Sequence, residues 1–84
     1  MSNNILMIGN REDVLLAKYQ ILLKNWNINF TQCYCFDTAQ QALEKLRFDC
    51  IIYCPFEWDI KAQYRRLREL NQRFKTPIKV WKES

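Results

Sequence analysis

The chain contains no histidine, one glycine and two prolines among its 84 residues. Without histidine, neither a Cys–His nucleophile pair nor a Cys2His2 zinc site can form. A single glycine, Gly9, rules out both the GxGxxG and the Walker phosphate loops. No apolar run approaches the roughly 18 residues of a membrane-spanning helix. No basic-then-apolar leader opens the chain either. A soluble, cytoplasmic protein without membrane association is therefore the expectation.

What is present argues for a folded domain. Apolar residues make up 49% of the chain and aromatics 14%, too many for disorder. Residues 1–84 form one small domain, of a size at which a single core is only marginally sufficient. Some of this apolar surface is expected to be buried by a second copy or a partner. The four cysteines (Cys33, Cys35, Cys50 and Cys54) all fall in predicted strands among apolar neighbours. Reduced, buried thiols are expected, because Cys-x-Cys and Cys-x3-Cys without histidine is not a metal-site spacing. No metal and no cofactor are expected.

The organising stretch is Phe48-Asp49-Cys50-Ile51-Ile52-Tyr53-Cys54-Pro55. It reads as a short buried strand stopped by a proline that cannot donate to a ladder. In open α/β sheets, ligands gather at the carboxyl ends of the strands, which places Cys54 at the productive position. Upstream, Asn4–Gly9 is a continuous apolar run, as expected of a strand covered on both faces. Gly9 marks a sharp strand-to-helix turn, and Asn10 with Asp13 caps the helix that follows.

That first helix is predicted over Arg11–Asn25, with Val14, Ala17 and Ile21 on one stripe and Leu16, Tyr19 and Leu23 on a second. One stripe suffices to pack on a sheet, so the second calls for another surface. A second strand, Asn29–Cys35, has the moderate alternation of an edge. The next helix is capped by Asp37 or Thr38, with Gln40 or Gln41 completing a capping box. Ala39, Ala42, Leu43 and Leu46 form its apolar face. A third helix over Asp59–Arg73 carries Ile60, Tyr64, Leu67, Leu70 and Phe74 at helical spacing. Thr76-Pro77 ends it, and Ile78–Trp81 is the last strand. The β-α-β-α-β-α-β order implies an α/β fold, with a parallel sheet of about four strands, three helices and right-handed crossovers.

The run Gln41-Ala42-Leu43-Glu44-Lys45-Leu46 followed by Phe48-Asp49-Cys50-Ile51-Ile52-Tyr53-Cys54 resembles the receiver domain of bacterial response regulators. There the pattern is roughly E-A-L-x-x-L, then P-D-L-V-L-x-D. Asn4–Gly9 is similar to the family's first strand, and Thr76-Pro77-Ile78-Lys79-Val80 to the start of its fourth. The resemblance implies a flavodoxin-like sheet of order 2-1-3-4 in which the last βα unit is missing. It also implies a pseudo-receiver, because the family's active-site residues are not kept. The acidic pair that holds Mg²⁺ falls on Gly9 and Asn10, a poor match for a hard cation that prefers carboxylates. The phosphoacceptor aspartate falls on Cys54, and the threonine of the fourth strand on Lys82.

Three readings follow. The leading one is a non-enzymatic signalling or regulatory adaptor that works through protein contacts, as a homodimer or with a protein partner. Its interface is expected at the last strand and the first helix: Leu16, Tyr19, Leu23, Ile78, Val80 and Trp81. An open strand edge invites pairing, and exposed apolar patches mark interfaces. The alternative is a small basic nucleic-acid-associated regulator. Residues 1–60 hold five basic and seven acidic groups, whereas residues 61–84 hold eight basic and two acidic. Lys61, Arg65, Arg68, Arg73, Lys75 and Lys79 are positioned to track phosphates. A further alternative is a cysteine redox sensor at Cys54, with Lys82 lowering its pKa; an inert strand-end thiol is the expectation. Acetyl phosphate is expected to leave the protein unlabelled, and acid-labile phosphate detected on it by intact mass would contradict the pseudo-receiver assignment.

Overall fold

The computed structural model describes residues 3–24, 27–55 and 60–81. The elements run β1 (Asn3–Ile8), α1 (Arg11–Lys24), β2 (Ile28–Cys33), α2 (Phe36–Lys45), β3 (Cys50–Tyr53), α3 (Ile60–Phe74) and β4 (Ile78–Val80). The four strands form one sheet in the order β2-β1-β3-β4, and all pairings are parallel. This is the strand order that the resemblance to receiver domains implied. β1 is central, paired with β2 from Asn3 opposite Ile28 to Ile8 opposite Cys33, and with β3 from Ile5 opposite Cys50 to Ile8 opposite Tyr53.

Strand alternation divides the core into two. Leu6, Ile8, Cys33, Ile51 and Tyr53 face α2 and α3, where they meet Ala39, Leu43, Leu67 and Leu70. Met7, Ile52 and Cys54 face the other way and meet Val14 and Ala17 of α1. Tyr53 sits at the centre of the first layer, its ring 6.0 Å from Phe36 and 6.2 Å from Tyr64. Two helices therefore cover one face and one helix covers the other.

Local chemistry sets the element ends. Asn10 Oδ1 accepts from the Asp13 N–H at 2.9 Å while Asn10 Nδ2 donates to Asp13 Oδ2 at 2.6 Å, the reciprocal cap expected for α1. At the opposite rim, the Asn4 N–H donates to Asp49 Oδ2, and the Asp49 N–H to the Asn4 carbonyl, both at 2.8 Å. These two bonds pin the starts of the paired strands. α2 begins two or three residues earlier than expected: Cys35 is the N-cap, and Asp37 and Thr38 lie inside the first turn. Gln40 bonds Glu44 along the helix rather than closing a capping box. α3 ends with Lys75 in the left-handed region (φ 57°), its N–H returning to the Asn71 carbonyl. Asn25 and Asp59, the expected ends of two helices, lie outside the described residues.

Gly9 lies at the turn from β1 into α1, as expected, but its φ is not positive. Its role is close approach. A Cβ built there would lie 2.6 Å from Cys54 Cβ and 2.7 Å from the Cys54 carbonyl oxygen. Both are rigid atoms near the main chain, so no side-chain rotation can relieve the clash. Gly9→Ala is expected to destabilise the fold by at least about 2 kcal/mol through overpacking. Urea denaturation checks this, and a loss below about 0.5 kcal/mol would refute the close-approach account.

Candidate functional site

The structure brings Gly9, Asn10 and Cys54 together at the carboxyl ends of β1 and β3, where the sequence pattern placed them. The Cys54 N–H donates to the Ile8 carbonyl at 2.7 Å, and the Gly9 N–H to the Cys33 carbonyl at 3.2 Å. Gly9 and Cys54 are closely packed against each other there. Gly9 is buried, and the space a side chain would take there is filled by Cys54. Cys54 is 1% exposed and packs with Met7, Val14, Ala17 and Ile52 beneath α1. Asn10 spends its amide on capping α1. Lys82, expected to lower the pKa of Cys54, lies outside the described residues.

The expectation that all four cysteines are buried strand residues fails at Cys35. It lies beyond the end of β2, at the N-cap of α2, and is exposed. Cys35 makes no ordinary side-chain capping bond, yet its Sγ lies 3.0 Å from Thr38 Oγ1. The Thr38 hydroxyl first, and its backbone second, hold the Cys35 thiol below the usual value of 9.0. Burial pushes Cys33 and Cys50 the other way, because an apolar surround penalises the thiolate. Sequence reasoning chose Cys54 for its place at the strand end. The signal that marks Cys35 instead is a cysteine preceding a helical first turn, with threonine three residues on.

The expected interface residues are brought together only in part: Leu23 shares one hollow with Trp81 and Val80 shares the adjoining groove with it, while Ile78 packs on the opposite core. In β4, alternation sends Ile78 to the α2–α3 face. Trp81 lies on the α1 face and packs on the opposite core. Its backbone N–H continues the ladder by donating to the Tyr53 carbonyl at 2.8 Å. Trp81 was expected to stand unshielded at the edge; its indole instead folds back over the sheet and is partly buried. The indole N–H is buried and meets no acceptor among the described residues.

A groove therefore lies beside α1. Ile5, Cys50 and Ile52 form its floor, Ile21 one wall, and Lys79 and Trp81 the other. A second hollow continues it past Gln20, Leu23, Lys24 and Ile28, again against Trp81. On the outer side of α1, Leu16 is 45% exposed, Tyr19 65% and Leu23 87%. These three recur at the spacing of one helical stripe, as the sequence indicated.

The expected basic surface is also redistributed. Arg73 is not a free cation: it pairs with Glu44 at 3.1 Å and lies over the Phe74 ring at 5.0 Å. Arg66 is held in the same way, by Asp37 at 3.0 Å and the Phe36 ring at 5.5 Å. Lys79 faces the α1 side and so cannot join α3. Lys61, Arg65, Arg68 and Lys75 remain exposed and together. Gln63, 5% exposed, is a polar residue that sequence periodicity did not place in the core.

No protein-family model matches the chain, and no characterised protein matches it. The fold itself defines an α/β parallel-sheet domain of order 2-1-3-4. Among the described residues, no helix is long and apolar enough to cross a membrane. No three metal-ligating side chains converge there either. With iodoacetamide, Cys35 is expected to alkylate fastest and Cys54 slowest in the folded protein. The Cys35 rate is expected to rise with pH through a midpoint below 9.0. Peptide mapping after timed labelling checks both, and faster modification of Cys54 than of Cys35 would contradict the burial order.

Proposed function

We propose that this protein is a non-enzymatic regulatory adaptor of the cytoplasm, a pseudo-receiver that acts by protein contact and associates as a homodimer through the α1 face. The observation that carries the reading is the incomplete cover of that face. One helix lies over four strands, and an apolar groove runs beside it next to an exposed Leu16–Tyr19–Leu23 stripe. A sheet four strands wide spans about 19 Å at 4.8 Å per strand, while a helix with its side chains covers about 10 Å. The rest of the apolar floor is left to Trp81 and to whatever docks there.

A second copy fits this surface by symmetry. Two α1 helices related by a two-fold axis present the same apolar stripe to each other, which is the commonest way for identical chains to associate. The strand-end position supports a role without aspartyl phosphorylation. Cys54 stands where the receiver pattern has its acceptor, and its thiol is turned into the core. Exposed leucine and tyrosine of this extent on a small domain are usual at interfaces and uncommon elsewhere on a surface.

Light scattering at high micromolar concentration is expected to give the mass of a dimer. Leu23→Asp should weaken association at least tenfold, about 1.4 kcal/mol. Because Leu23 is so exposed, the stability of the dissociated chain should change by less than about 0.5 kcal/mol. A wild-type monomer at that concentration would remove self-association. An equally stable dimer in the variant would move the interface off α1.

A further inference from the structure

The outward ridge of α3 is a separate feature on the opposite side of the sheet from α1. Leu67 and Leu70 are buried, Gln63 with them, and Phe74 is half-buried. Lys61, Arg65, Arg68 and Gln72 recur at four- and three-residue steps, so they line the side of the helix that points away from that core. Lys75 follows just past the helix end. From Lys61 to Lys75 the ridge spans about 21 Å at 1.5 Å per residue.

Pairing within the protein isolates this ridge. The two α3 arginines turned toward α2, Arg66 and Arg73, are neutralised by Asp37 and Glu44. The four ridge cations have no carboxylate within ion-pair distance among the described residues. Glu69, the one acid of α3, lies beside the ridge without forming an ion pair there. The net charge is +4 from thirteen basic and nine acidic residues. Leaving out Lys61, Arg65, Arg68 and Lys75, the other nine basic residues balance the nine acidic ones. These four cations equal the net charge of the chain in number, and they lie along α3 and just past its end. Beside that line stands Tyr64, 45% exposed, three residues after Lys61 and four before Arg68. Residues so spaced on a helix are surface neighbours.

We infer that this ridge binds single-stranded nucleic acid, with the four cations along the phosphates and Tyr64 as a stacking surface for an unpaired base. A linear array of cations suits a polymer with regularly spaced charge. A half-exposed aromatic among them suits an unstacked base, which a duplex does not offer. An acidic peptide would use the cations but has no need of the tyrosine. The inference is independent of dimerisation, which uses the other face.

The test is fluorescence anisotropy with a fluorescein-labelled, mixed-sequence 12-nucleotide single-stranded DNA. Binding is expected in the range of about 1–100 µM at low salt, as for non-specific contacts. The slope of log affinity against log salt should be about −3, from four phosphates at about −0.7 each. Arg65→Gln with Arg68→Gln should roughly halve that slope. Tyr64→Leu should weaken binding about fivefold or more with the slope unchanged. Circular dichroism confirms that each variant is folded, and Leu23→Asp should bind like the wild type. No binding at 50 mM salt, or equal binding by the double arginine variant, would overturn the ridge as the site. Tighter binding to a duplex of the same sequence, or equal competition by polyglutamate of matched charge, would overturn the single-strand assignment.

Discussion

The close approach of Gly9 to Cys54 is the constraint on which the rest depends. β1 and β3 are the inner strands of the sheet, and each presents one side chain row to each face. For their carboxyl ends to close together, one of the two chains has to give up its side chain. Gly9 does so, and Cys54 fills the space with its Cβ and carbonyl oxygen. With that end closed, α1 can start at once from the Asn10–Asp13 cap and lie over Met7, Ile52 and Cys54. One steric fact thus organises the fold.

The second consequence is unequal cover. α2 and α3 share a face and are tied to each other by two ion pairs, Arg66–Asp37 and Arg73–Glu44. Exposed pairs of this kind contribute little stability, about 0–1 kcal/mol each. Their larger effect here is on charge: they decide which arginines of α3 are spoken for and which face solvent. Among the described residues α1 has no such companion on its face, and the apolar groove between it and Trp81 follows directly. The two surfaces with unspent interactions are therefore chemically distinct, one apolar and one cationic. They also lie on opposite sides of the sheet, so occupation of one leaves the other open.

Much of this was legible in the sequence because it depends on local pattern. The continuous apolar runs of β1 and β3 require burial on both faces, and the β-α alternation then leaves few topologies other than a parallel sheet. The doubled stripes of α1 appear as they were read, Val14 and Ala17 inward and Leu16, Tyr19 and Leu23 outward. The candidate strand-end residues do meet. Their roles were misread because burial and side-chain direction are not local. Cys54 turns into the core, whereas Cys35, two residues past the end of β2, is the thiol left in solvent beside a hydroxyl.

By itself, then, the sequence determined the class of fold, the order of its elements and the stripes they present, since periodicity and capping act within one turn or one strand. Only the tertiary structure decided which residues share a surface. It separated Ile78 from Trp81 by strand parity, and withdrew Arg73 from the basic set through a carboxylate on another helix. It gave Gly9, at the turn from β1 into α1, a close contact with Cys54 as well. Each of those outcomes depends on a neighbour distant in sequence, and no pattern confined to one segment can encode it.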